Sequence, residues 1–328
     1  MLTIRSLPLI ALALFYGFLN GKNGSANVVA PLLSTRALGY RKALLIAAVA
    51  GASGPFLFGL AVAETLGRDV LAPDAITLPV IAAGVLSATL WTALALSLGL
   101  PSSTSHALVG GLIGAAVMAQ GARAILLRGL LTSLLALFLA PVASILAGYW
   151  VVRLLYFVLK NAAPRANLAL RHGEVLAAVA VAIVQGSNDT QKTMGMITLG
   201  LLATGALSEF QVPGWAVAAS AAAFAGGTLF AGQRTTRTVG RKYYRIRPVH
   251  GLGALTAAAL VILGAGLLGG PVSTSHVVSS SIVGAGSADR VQMVRWGVVQ
   301  RILWSWVLTI PAAALVAGLL LLALRPLL

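Results

Sequence analysis

The stretch QGSNDTQK, Gln185 to Lys192, sets an amide, hydroxyls, a carboxylate and an ammonium between two apolar runs, VLAAVAVAIV at 175–184 and MGMITLGLL at 194–202. Its counterpart NGKNGSAN, Asn20 to Asn27, lies about 165 residues earlier in an equally apolar setting. A second motif is doubled in the same way: PSSTSH at Pro101 to His106 returns as PVSTSH at Pro271 to His276. Polar groups inside membrane-length apolar sequence are costly and mark a site by default. Duplicated halves with Gly- or Pro-interrupted hydrophobic segments are the signature of a secondary transporter that binds its substrate between repeats.

Composition leads to the same class. With 59% hydrophobic and 9% charged residues and a mean hydropathy of +0.94, the chain lies outside the range of soluble domains. Apolar stretches recur near 3–20, 43–63, 76–99, 125–152, 174–186, 214–231, 249–269 and 296–324, and most reach the roughly 20 residues that span a bilayer core. Four shorter stretches near 26–34, 106–120, 191–205 and 276–286 follow or contain the motifs and read as half-helices or re-entrant hairpins, which membranes tolerate only where protein or a wet cavity satisfies the backbone. The fold class is therefore an all-α polytopic membrane protein with two inverted-topology repeats, discontinuous or re-entrant helices and about 10–12 membrane segments. The repeats fall at 1–152 and 174–328, joined by a basic linker at 153–173, and together make one transport unit. The first segment lacks a small-residue cleavage site and is expected to be a retained helix.

The net charge of +16 is spread over the loops, so it reads as membrane orientation rather than nucleic-acid binding. The loop after the first motif carries Arg36, Arg41 and Lys42, whereas its counterpart has only Glu209. The next pair reverses the bias. Residues 65–75 hold Arg68, Asp69 and Asp74, while 233–247 hold Arg234, Arg237, Arg241, Lys242, Arg245 and Arg247. If basic loops are cytoplasmic, equivalent loops lie on opposite sides. The linker residues Arg153, Lys160, Arg165 and Arg171 are then inside and the N-terminus outside, while Arg123 and Arg128 fit this count less well.

Each PxSTSH motif offers a helix-breaking proline and three hydroxyls, Ser103, Thr104 and Ser105 or Ser273, Thr274 and Ser275. Hydroxyls at a helix start cap backbone amides, and the remaining N–H groups with the positive dipole end suit a tetrahedral oxyanion. The bland alternative is simple capping of two half-helices. In the other pair, Gly21, Gly24, Gly186 and Ser187 allow close backbone approach, and Asn23, Ser25, Asn27, Asn188, Asp189, Thr190 and Gln191 supply oxygens and amides. We assign the hydroxyl runs with Asn188, Gln191 and Asn27 to the anion, and Asp189, Asn23, Ser25 and Thr190 to a coupling cation. Asp189 reads as the one acid inside the membrane. Lys192 and Lys22 either balance charge at the site or snorkel to the interface. His106 and His276 either relay a proton or anchor the loops by hydrogen bonding, whereas His172 and His250 support no assignment. There is no cysteine, HExxH or paired-carboxylate pattern, so no metal site and no cofactor is expected. An enzyme would have to use Ser105–His106 or Ser275–His276, neighbours that do not face each other on a helix.

These residues carry a family resemblance. QGSNDTQKTMGMITLGL (Gln185–Leu201), GQRTTRTVGRKYYRIRPVHG (Gly232–Gly251) and GGPVSTSHVVSSSIVGAG (Gly269–Gly286) closely resemble the inorganic phosphate transporter family, PiT, in its bacterial form. So do FLNGKNGSANVVAPLLSTRAL (Phe18–Leu38) and GLPSSTSHALVGGLIGA (Gly99–Ala115), so the resemblance covers nearly the whole chain. It implies a multi-pass cell-membrane symporter of inorganic phosphate with sodium or protons, in bacteria sometimes of a neutral metal–phosphate complex. It also implies a central site built from the motif residues. A sulfate or other oxyanion permease of the same fold is the alternative, and a homo-oligomer is compatible with the sequence. One departure stands out: where the family usually shows an acid, as in HDSAN or NDVAN, this chain has Gly24, with Lys22 just upstream.

Overall fold

In a bilayer every backbone polar group must be satisfied within the protein, and helix achieves this locally. The computed structural model describes residues 4–98, 102–163, 165–231, 247–294 and 296–324. They form eleven α-helices, and the only β pairing among the described residues is an isolated bridge from Leu71 to Ile125. The helices are α1 (Leu7–Ser34), α2 (Tyr40–Leu57), α3 (Ala61–Glu64), α4 (Leu78–Ser97), α5 (Thr104–Gln120) and α6 (Leu127–Val158). They continue as α7 (Ala166–Ala203), α8 (Gly214–Leu229), α9 (Pro248–Leu267), α10 (Thr274–Asp289) and α11 (Trp296–Leu324). α4, α6, α7, α9 and the Leu303–Ala323 part of α11 are each long and apolar enough to cross a membrane. α2 forms a sixth span if joined to Ala61–Asp69, from which it is bent by 72°.

The breaks do not all fall where the apolar pattern puts them. α5 and α10 are separate short helices starting at the hydroxyl runs, as expected for 106–120 and 276–286. The stretches 26–34 and 191–205 are not half-helices: α1 and α7 run unbroken through their polar motifs. The reason is chemical. Neither motif contains proline, so the i→i−4 ladder persists and the polar side chains find partners on neighbouring helices. Pro271 does break the chain before α10, and Gly269 at φ +76 supplies the turn that follows α9. The basic residues Arg234, Arg237, Arg241, Lys242 and Arg245, and Pro101, lie outside the described residues.

Two apolar clusters flank the polar motifs. One gathers Leu9, Ala13, Ile81, Leu108, Leu112, Ile197 and Leu199; the other gathers Val28, Leu32, Ala47, Ala178, Val181, Leu255 and Val278. α1 passes from the first cluster to the second, and α7 passes from the second to the first. NGKNGSAN and QGSNDTQK therefore both fall at the level where the clusters meet, on helices of opposite direction. The end of α1 meets the start of α7 and of α9, through Thr35, Glu174 and Gly251. At the other end, Arg68 Nη2 donates to the Phe210 carbonyl at 2.6 Å, and Ala72 N donates to Ala124 O at 2.9 Å. The turn carrying Arg123 thus shares a face with Arg68, away from Arg36 and the linker, which keeps Arg123 the exception it is in the loop count.

Backbones come close where helices cross. A methyl group at Gly186 of α7 would overlap the Gly51 carbonyl of α2, and one at Gly54 would overlap the Ile183 carbonyl. Without a hydrophobic drive between helices in lipid, such small-residue contacts supply the packing. Replacing Gly186 with Val drives two backbones apart beside the site and is expected to cost at least about 1–3 kcal/mol. Size-exclusion profiles and thermal unfolding in nanodiscs check this; an unchanged melting temperature would remove the close crossing.

Candidate functional site

The site is built where α1 and α7 pass the starts of α5 and α10. Ser103 and Ser273 are N-caps in extended conformation, and each hydroxyl accepts the backbone N–H three residues on, from His106 at 3.1 Å and His276 at 3.4 Å. Each serine therefore holds its helix end as an acceptor and keeps its own O–H as a donor. The next residues turn their side chains to the motifs on α1 and α7.

Lys192 and Asp189 lie at the centre. Lys192 Nζ stands 2.6 Å from Asp189 Oδ1, and the two side chains are 0% and 1% exposed. The ammonium also donates to Ser105 Oγ at 2.7 Å and to the Val272 carbonyl at 2.9 Å, which uses its three N–H groups. Asp189 Oδ2 accepts the Thr274 hydroxyl at 3.0 Å. The pair thus joins α7 to the first hydroxyl run through Ser105 and to the second through Thr274. Burial this complete rules out snorkelling for Lys192, whereas Lys22 is only half-buried.

A second set faces it from α1. Asn27 Nδ2 donates to Ser275 Oγ at 3.2 Å and to Gln185 Oε1 at 3.3 Å. Asn23 Nδ2 reaches the Ser102 carbonyl at 3.3 Å and Ser275 Oγ at 3.5 Å. The wiring is reciprocal: Lys192 of the second half donates to Ser105 of the first, and Asn27 of the first half donates to Ser275 of the second. Asn23 and Ser275 are less buried than the Asp189 cluster. Thr104 donates to Asn20 Oδ1 at 2.8 Å, and Asn20 Nδ2 reaches the Asp189 carbonyl at 3.5 Å.

Gln191 and Asn188 point toward the bend between α2 and α3. Gln191 Oε1 accepts Val62 N at 2.8 Å and Ala63 N at 3.3 Å, satisfying amides left open by the break. Its Nε2 donates to Ser187 Oγ at 3.1 Å. Asn188 Nδ2 donates to the Gly270 carbonyl at 3.2 Å, while its Oδ1 is buried with no donor. Phe58, Ser187, Asn188, Gln191 and Gly266 line a small cavity here. Ser25 and Thr190, expected at the cation, donate their hydroxyls to carbonyls of their own helices, Lys22 O at 2.9 Å and Gly186 O at 2.7 Å. His106 and His276 stand 5.0 Å apart behind the hydroxyl runs; His106 Nδ1 lies 2.7 Å from Ser103 Oγ, and His276 stacks on Trp306 at 4.5 Å. No group of three or more potential metal ligands exists among the described residues.

Three site features escape a reading of the sequence alone. Tyr16 donates to the Thr104 carbonyl at 3.1 Å, and nothing in the local pattern marks it. Asn20 and Gln185 begin their motifs at equivalent positions, and only the fold shows them meeting Thr104 and Asn27. The space an acid at 24 would fill is taken, since a Cβ on Gly24 would overlap Gln185 Nε2 and lie 3.8 Å from Asp189 Oδ2. Asp189 is not the one buried acid of α7: Glu174, on the same helix, is 0% exposed. It sits at the edge of its apolar stretch, where sequence alone places it in the linker boundary.

Removing one partner of a buried ion pair leaves an unpaired charge, a loss of about 3–5 kcal/mol. Lys192→Met is expected to lose stability on that scale, and adding Asp189→Asn is expected to restore part of it. Unfolding of the single and double variants, followed by tryptophan fluorescence, checks this; additive losses would mean the pair is not coupled.

Known proteins resemble this chain in sequence and in fold. The model of the phosphate transporter family matches residues 20–172 and 159–317. A protein of Rhizobium meliloti named a probable low-affinity inorganic phosphate transporter is 40% identical over 313 residues, covering 95% of this chain and 94% of its own. One of Bacillus subtilis with the same name is 36% identical over 317 residues, covering 95% of each. A solved structure described as the sodium-dependent phosphate transporter superposes with a TM-score of 0.92 over 99% of this chain and all of its own, at 21% identity, which shows the shared fold. These matches span both halves and every motif of the site, and the chain is a multi-pass membrane protein of the phosphate transporter family.

Proposed function

We propose that this protein is a symporter that carries inorganic phosphate across the membrane, driven by sodium or protons, by alternating access around the Asp189–Lys192 site. The observation that carries this reading is the buried pair itself, held between two hydroxyl runs and bordered by amide donors. Lys192, Ser105, Thr274, Ser275, Asn23 and Asn27 are donors for anion oxygens. Asp189 is an acceptor, and hydrogen phosphate carries an O–H that needs one, whereas sulfate does not. A site that hydrogen-bonds a substrate O–H discriminates strongly against an analogue lacking it. In the structure Lys192, Ser105, Thr274, Asn23 and Asn27 already donate to Asp189, Val272, Ser102 and Gln185, so an entering phosphate exchanges hydrogen bonds with them.

The repeat reading is part of the same proposal. Residues 1–152 and 174–328 act as two inverted repeats around the linker 153–173. The opposite passage of α1 and α7 between the two apolar clusters, the reciprocal hydrogen bonds and the contact between His106 and His276 support it. Rocking of one repeat-derived unit against the other then exposes a fixed site alternately to each side. The coupling cation takes carboxylate and amide oxygens near Asp189, with Asn188 Oδ1 as a buried acceptor lacking a donor. Gly24 removes one carboxylate from the first motif, so coupling rests on the second.

Uptake of radiolabelled phosphate into liposomes, under a sodium or a proton gradient in turn and with sulfate as competitor, tests the proposal; sulfate uptake equal to that of phosphate would overturn the substrate. Asp189→Asn is expected to lower uptake by roughly tenfold or more, the loss when a charge-assisted hydrogen bond of about 1.5–3 kcal/mol is removed. Gly24→Asp, in which the flexible Gln185 amide must give way, is expected to change the dependence on cation concentration. An unchanged number of coupled cations would refute the role given to that glycine.

A further inference from the structure

Glu174 lies a little over four turns before Asp189 on α7 and takes no part in the site just described. Its side chain is 0% exposed, and neither carboxyl oxygen has a hydrogen-bond donor. It rests against the first turn of α9, where a methyl group at Gly251 would overlap Oε1, and beside the Thr35 hydroxyl at the end of α1, whose proton goes to the Pro31 carbonyl at 3.1 Å. Arg171, one turn earlier on α7, is the nearest cation acting on it, yet its buried Nε also lacks a partner, and the two form no ion pair.

The surrounding charges are engaged elsewhere or turned outward. On α9, the His250 ring meets Tyr156 of α6 at 2.9 Å, and Arg247 binds Asp289 of α10 at 2.6 Å. On α2, Arg41 and Lys42 are exposed, as are Arg36 after α1, Arg153 on α6 and His172 on α7, and α8 carries no charged residue. An ionised carboxylate buried without a donor is far too costly to persist, and the usual relief is to take up a proton. A charged Glu174 would also draw in the guanidinium one turn away, since residues three apart on a helix are neighbours.

We propose that Glu174 binds a proton in this closed arrangement of α1, α7 and α9 and releases it when the three separate. On separation the carboxyl O–H transfers its proton to entering water, giving hydronium, and the carboxylate left behind pairs with Arg171. Opening of this face is thereby tied to one protonation event, distinct from whatever cation Asp189 handles; this link to opening rests on the transport reading above, whereas the proton itself does not.

Infrared spectroscopy of the purified full chain in nanodiscs reads the proton directly, because the protein has only seven acidic residues. At neutral pH a protonated-carboxyl band is expected in the wild type and in Asp189→Asn, and its loss is expected in Glu174→Gln. A band that persists in Glu174→Gln, or no band in the wild type, overturns the proposal whether or not phosphate is transported. Glu174→Gln, a neutral isostere of the protonated form, is expected to keep its melting temperature and, in liposomes, to lose the dependence of uptake on the pH facing this side. A pH dependence equal to that of the wild type would overturn the link to opening. A wild type that moves no phosphate at all would instead sink the transport reading and leave the infrared result standing.

Discussion

The buried contact between Lys192 and Asp189 is the constraint on which the rest of the site depends. Two opposite charges removed from water repay their desolvation only when the geometry is good and the remaining donors and acceptors are satisfied. Here the ammonium uses all three N–H groups, one of them on Ser105 of the other half, and the second carboxylate oxygen takes the Thr274 hydroxyl. That requirement brings Ser105, Val272 and Thr274 to one point, and with them the starts of two helices and the middle of a third. In the transport reading proposed above, the same pair offers a cation to an anion and an acceptor to a protonated one.

Holding the pair requires α7 to pass the bilayer without a break and at close range to α2. The unbroken helix keeps Asp189 and Lys192 one turn apart on the same face, as an i,i+3 contact needs. Glycines at the crossing with α2 let the backbones approach, and the bend after α2 is satisfied by Gln191 of the same motif. The breaks are thus placed before α5 and α10, which the capping serines begin, and at the bend between α2 and α3. The motif helices run unbroken and the hydroxyl helices bring their ends to them.

Much of this was legible in the amino-acid sequence because it follows from local chemistry. Proline followed by Ser-Thr-Ser marks a helix start, and Ser103 and Ser273 cap as that pattern predicts. Apolar lengths mark membrane helices, and duplication marks residues that work in pairs. What was not legible depended on which side chains meet. The pattern of polar residues inside NGKNGSAN and QGSNDTQK looks like a helix break, yet cross-helix hydrogen bonds let the helices continue. Glu174 looks like a boundary residue, and only the approach of α9 at Gly251 shows that it is enclosed. Tyr16 carries no local signal at all, since its hydroxyl matters only because a carbonyl from residue 104 is beside it.

The sequence by itself determined the class of protein, its membrane helices, the doubled motifs and the kind of ligand they suit, because hydropathy, proline and capping act over a few residues of chain. The tertiary structure alone decided that Lys192 closes on Asp189, that Gln185 occupies the space beside Gly24, that Ser105 and Ser275 are each served from the opposite half, and that Glu174 is shut away from water. Those outcomes join residues separated by up to 252 positions, as from Asn23 to Ser275. They depend on how closely two backbones can approach, a property of packed surfaces that no short stretch of chain contains.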